Sequence, residues 1–66
     1  MDTIELMESN LQWLRKSRAE WLTAFQQCPF DADRQLKLCV GQMDAFDQMI
    51  ERTEQFLRMY KTEQRR

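Results

Sequence analysis

The chain is expected to be all-α, an antiparallel two-helix hairpin, coiled-coil-like and completed by a partner or a second copy. Three observations carry that expectation. Apolar residues recur at three- and four-residue steps in both halves, Pro29 stands alone near the middle, and the composition is that of a folded helical chain. Of 66 residues, 42% are apolar and 32% charged, with one Gly and one Pro, unlike a disordered tail. The sequence reads as one domain over 1–66, with a helix over about 2–27, a turn at 28–31 and a helix over about 32–62.

The first helix should begin at Asp2, whose side chain caps the end while Glu5 reaches back as in a capping box. Acidic Asp2, Glu5 and Glu8 complement the positive end of the helix dipole. Its main face is Ile4, Met7, Leu11, Leu14, Leu22 and Phe25, flanked by Trp21 and interrupted by Arg18. Its back face carries Leu6, Trp13 and Ala24. Pro29 cannot continue a helix and pushes Cys28 out of helical geometry, which ends this element.

Asp31 is the expected N-cap of the second helix, which opens Ala32-Asp33-Arg34. Leu36, Cys39, Met43, Phe46, Ile50, Leu57 and Tyr60 then form a seam with Thr53 as its only polar member. Roughly 180° away, at about 100° per residue, lie Leu38, Ala45, Met49, Phe56 and Met59. The basic end, Lys61 to Arg66, complements the C-terminal dipole and is expected to fray.

A short connection between long helices makes them antiparallel neighbours. With the turn centred near Pro29, residues whose numbers total about 59 or 60 face each other. Arg18 then meets Gly41 and Gln42, and Gly41, which costs ~1 kcal/mol inside a helix, is expected to make room for the arginine stem. The only basic cluster, Arg15, Lys16 and Arg18, falls beside Asp44, Asp47 and Glu51, so neutralisation within the chain is expected.

Several kinds of chemistry lack their residues. There is no His, two separate Cys cannot complete a metal site, and one Gly excludes a phosphate-cradling loop. The acidic face of Asp44, Asp47 and Glu51 reads as solvated rather than cation-binding. No catalytic residue, metal or cofactor is therefore expected, and the chain reads as a non-enzyme. Cys28 and Cys39 are offset by roughly 10 Å along the hairpin axis, beyond the ~7 Å Cα limit for a disulfide. Two reduced thiols suit a cytoplasmic protein. A net charge of −1 gives no general attraction to nucleic acid or to an anionic membrane. No apolar run approaches the ~18–20 residues of a membrane span, and the N-terminus lacks the order of a secretory signal.

A hairpin offers each helix cover for one stripe only. Leu6, Trp13, Leu38, Ala45, Met49, Phe56 and Met59 are left without it and are the candidate partner-binding residues. The opening Met1 to Leu11, the near-central turn, the run Met43-Asp44-Ala45-Phe46-Asp47-Gln48 and the overall length resemble the YscE/SsaE/EscE-like co-chaperones of bacterial type III secretion. That resemblance implies a cytoplasmic hairpin that joins a heterologous tetratricopeptide-like chaperone and helps keep the needle subunit soluble and unpolymerised before export. It implies protein binding without chemistry. No membrane contact is expected from the charge and the apolar runs, and a homodimer is one form open to the chain when alone. Asp31-Ala32-Asp33, Gln35 and Cys39 resemble, more briefly, the turn region of the plasmid regulator Rop. The alternative this implies is an RNA-binding homodimer using Arg15, Lys16 and Arg18, and a structural self-associating bundle is a third reading.

Overall fold

In the computed structural model, which describes residues 2–64, Pro29 separates two helices, α1 (Thr3–Gln27) and α2 (Asp33–Gln64). They pack against each other as an antiparallel hairpin, giving a rod of 54 × 17 × 12 Å. Asp2 is extended, with φ −78° and ψ 173°, and its Oδ1 accepts the Glu5 N–H at 2.8 Å, the expected cap of α1. At the other end Cys28 is extended, with φ −75° and ψ 133°, as the residue before a proline must be. Its N–H still donates to the Phe25 carbonyl at 3.2 Å.

The start of α2 differs from expectation by one residue. The Ala32 N–H donates to the Pro29 carbonyl at 3.1 Å, closing the turn, and the Ala32 carbonyl accepts the Leu36 N–H at 3.0 Å, the first bond of the helix. Ala32 therefore occupies the cap position. Asp31, inside the closed turn, stands one residue too early to cap, and Asp33 supplies the acidic charge of the first helical turn. At its far end α2 runs to Gln64, two residues past the expected boundary, and Lys61 Nζ in its last turn lies 3.2 Å from Glu8 Oε1. Arg65 and Arg66 of the basic end lie outside the described residues, as does Met1.

Leu11 and Leu14 of α1 and Cys39, Phe46 and Leu57 of α2 form the buried core. Ile4, Met7, Trp21, Leu22, Phe25, Leu36, Met43 and Ile50 are half-buried around it, as the apolar spacing anticipates. Thr53 fits the seam because its hydroxyl donates to the Met49 carbonyl at 2.8 Å. Tyr60, the last member of the expected seam, is not buried with it: it is 41% exposed.

The register departs from simple facing pairs where side chains are long. Arg18 does not meet Gly41 and Gln42; its Nε donates to Asp47 Oδ1 at 3.0 Å. A Cβ added at Gly41 would meet nothing within 4 Å, so this glycine makes room for no side chain. The cause is the lean of helical side chains toward their own N-terminus. On α1 that direction leads away from the turn, and on α2 toward it. A long α1 side chain therefore meets an α2 residue that starts further from the turn than the one facing its own backbone, as in the Arg15–Glu54 and Glu8–Lys61 pairs too.

Candidate functional site

The hairpin has two unlike flanks. With Leu14 and Phe46 facing inward and about 100° per residue, Glu8, Arg15 and Arg18 fall on one flank of α1, while Asn10 and Trp13 fall on the other. On α2, Asp47, Glu54 and Lys61 take the first flank and Met49, Arg52 and Phe56 the second. All three ion pairs lie on the first: Arg18 with Asp47 at 3.0 Å, Lys61 with Glu8 at 3.2 Å and Arg15 with Glu54 at 3.8 Å.

The second flank is an open groove of about 320 Å³ lined by Asn10, Trp13, Leu14, Met49, Arg52, Thr53 and Phe56. Trp13 forms its wall from α1. The indole and the buried Phe46 ring meet edge to face, with centroids 6.1 Å apart and planes at 66°. A Trp in that position is anchored by the core while keeping 58% of its surface in water. Leu14, a core residue, forms part of the floor.

This geometry corrects the expected placement of the second stripe. It does not run on the far side of α2, roughly 180° from the seam; it borders the seam, because Met49 and Phe56 share a groove with Trp13 and Leu14 of the other helix. Of the candidate partner-binding residues, the groove brings together Trp13, Met49 and Phe56, with Met49 at 42% and Phe56 at 53% exposed. Leu38, 53% exposed, lines a second hollow of about 360 Å³ at the turn end, with Trp21, Ala24, Cys28 and Pro29 among its other walls. Met59 is 57% exposed but lines a depression formed by α2 alone, with Gln55, Arg58, Thr62 and Glu63, and so is not gathered into the groove. Leu6, at 57%, and Ala45 are exposed.

Three exposed residues escaped the sequence reading. Arg52 lies three residues after Met49 and four before Phe56, a spacing that already marks the groove's rim. Phe30, 98% exposed at the turn, and Val40, 50% exposed, follow no stripe and gave no periodic signal.

The charges divide in the same way. Arg18 meets Asp47 as expected, Arg15 takes Glu54 instead, and Asp44 accepts from Gln48 Nε2 at 3.2 Å. Among the described residues Lys16 and Arg52 take part in no ion pair. The two cysteines are free, Cys39 buried in the seam and Cys28 half-buried at the turn, where its thiol donates to Gln35 Oε1 at 3.5 Å. Desolvation, followed by the nearby Cys39 and Asp31, pushes the Cys28 thiol above its ordinary pKa of 9.0.

Among the described residues no group of three or more His, Cys, Asp or Glu is placed to hold a metal ion, and no helix is long and apolar enough to cross a membrane. The chain matches no family model, no curated protein and no solved structure.

Proposed function

We propose that the chain acts by binding protein, without chemistry, as a YscE/SsaE/EscE-like co-chaperone in the bacterial cytoplasm. In this reading it joins a tetratricopeptide-like chaperone and, through it, helps keep the needle subunit of a type III secretion system unpolymerised before export. The observation that supports it is the groove on one flank, walled by Trp13, Met49 and Phe56, with exposed Leu38 beyond it toward the turn. Contiguous exposed apolar surface with Trp and Met is the usual material of a protein interface. A subunit that polymerises through an amphipathic helix is kept apart when that helix, or the chaperone holding it, is covered by such a surface.

Co-expression of the chain with the products of neighbouring secretion genes tests the reading. A stable complex is expected, and Trp13→Glu or Phe56→Glu should abolish it while leaving the isolated hairpin helical by circular dichroism. No complex, or one indifferent to both substitutions, rules the reading out. The RNA-binding alternative has less support, because Arg15 and Arg18, two of its three cations, are already paired with carboxylates.

A further inference from the structure

The groove's rim carries charge that the chain does not use. Arg52 lines the groove on α2; Lys16, outside the lining, stands one helical turn from Trp13 on α1 and about 60° further round it, so a cation borders the outer edge of the apolar strip on each side. Neither takes part in an ion pair among the described residues. No carboxylate lies three or four residues from Arg52 on α2. Lys16 has Glu20 four residues on, in the less favourable Lys-before-Glu order, and the two do not form a salt bridge. On the opposite flank, by contrast, every ion pair joins α1 to α2.

We propose that the groove takes an amphipathic helix of another protein, one with acidic residues along both edges of its apolar stripe. This rests on the protein-binding reading above and adds to it the chemistry of the partner. The apolar stripe of such a helix would lie over Leu14 between Trp13 and the Met49–Phe56 pair, and its acidic edges would meet Lys16 and Arg52. A second copy of this chain is the poorer occupant. Across a two-fold axis through the groove it would bring its own Lys16 and Arg52 to the same strip, like charge on like.

The test uses the full chain and two helical peptides of roughly three heptads, both with Leu at the a and d positions, one with Glu and the other with Lys at e and g. Binding is followed by titration calorimetry at low and high salt, with sedimentation of the chain alone. The Glu peptide should bind about tenfold more tightly than the Lys peptide at low salt, as two rim ion pairs allow, and the difference should shrink as salt rises. The exposed double variant Lys16→Glu/Arg52→Glu should reverse the preference. Equal binding of the two peptides, binding of neither, or a dimer of the chain that excludes the Glu peptide overturns the proposal. Binding of the Glu peptide together with failure of every secretion-gene complex would leave this inference standing and remove the co-chaperone reading.

Discussion

The contact between Trp13 and Phe46 is where the core and the groove become one structure, and a double-mutant cycle measures it. Trp13 keeps 58% of its surface exposed, so under half is withdrawn from water. For a side chain that buries up to ~250 Å² in full, the withdrawn part is roughly 100 Å², and Trp13→Ala should cost about 2.5 kcal/mol at ~25 cal/mol per Å². Phe46→Leu keeps most of the apolar volume and should cost about 1 kcal/mol. The rings sit edge to face at 6.1 Å, inside the range where aromatic pairs add ~0.5–1.5 kcal/mol beyond area burial. The double variant should therefore lose about 1 kcal/mol less than the two single losses together.

The assay is urea unfolding followed by far-ultraviolet circular dichroism, repeated at several protein concentrations to separate folding from association. Phe46→Leu is preferred to Phe46→Ala because a full truncation, at ~3–5 kcal/mol, would consume the ~3–5 kcal/mol a core this small supplies. Costs that simply add, with a coupling within about 0.3 kcal/mol of zero, would refute the reasoning. Trp13 would then be a free surface side chain, and the groove would lose its fixed wall.

Gly41→Ala should stabilise the hairpin by about 0.5–1 kcal/mol, since its Cβ enters open space and only helix propensity changes; a lower melting temperature would contradict this. Asp47→Asn should cost at most about 1 kcal/mol at low salt and nothing measurable at high salt, because the Arg18–Asp47 pair is partly exposed; a large, salt-independent loss in urea unfolding would count against it. Cys28, with its folded pKa raised above 9.0, holds its proton more tightly folded than unfolded. Its contribution to stability is full below the unfolded pKa and is lost as pH rises through the folded one, so Cys28→Ser should flatten the fall in stability above pH 9.0, and an unchanged alkaline profile would contradict that. Iodoacetamide should likewise alkylate Cys28 more slowly at mildly alkaline pH than it alkylates an unhindered thiol.

The parts of the fold legible in the sequence are those set by neighbouring residues. Three- and four-residue steps mark the buried Leu11, Leu14, Cys39, Phe46 and Leu57, and Asp2 and Pro29 mark helix ends through their own local chemistry. The cap of α2 falls at Ala32 rather than at Asp31 because it depends on how the turn closes, with the Ala32 N–H bonded to the Pro29 carbonyl. Counting facing residues sets Arg18 opposite Gly41 and Gln42, whereas the lean of long side chains carries its guanidinium to Asp47, the partner its charge calls for. The groove stayed hidden for a related reason. A helical stripe tells how far a residue stands from the seam of its own helix, but not which flank of the neighbour it will meet. That relation exists only once Trp13, Met49 and Phe56 are brought together in space.

The division into flanks also limits how a partner can approach. The Glu8–Lys61, Arg15–Glu54 and Arg18–Asp47 pairs are individually weak, because they are partly exposed and screened by salt. Their collective effect is on approach rather than stability. A helix docking on that flank would have to desolvate charges that already have partners, gaining no new pairing in return. On the groove flank the same helix covers Trp13, Met49 and Phe56, which are wet in the free chain, and finds Lys16 and Arg52 without partners. A two-helix rod that could be approached from either flank would tend to stack into open arrays, whereas one flank closed by ion pairs leaves a single productive docking side. Charge reversal of Arg15 and Arg18 together, to Glu, sets like charges against Asp47 and Glu54, so the variant should unfold at a lower urea midpoint at low salt and recover as salt rises; a midpoint indifferent to salt would contradict the closed flank.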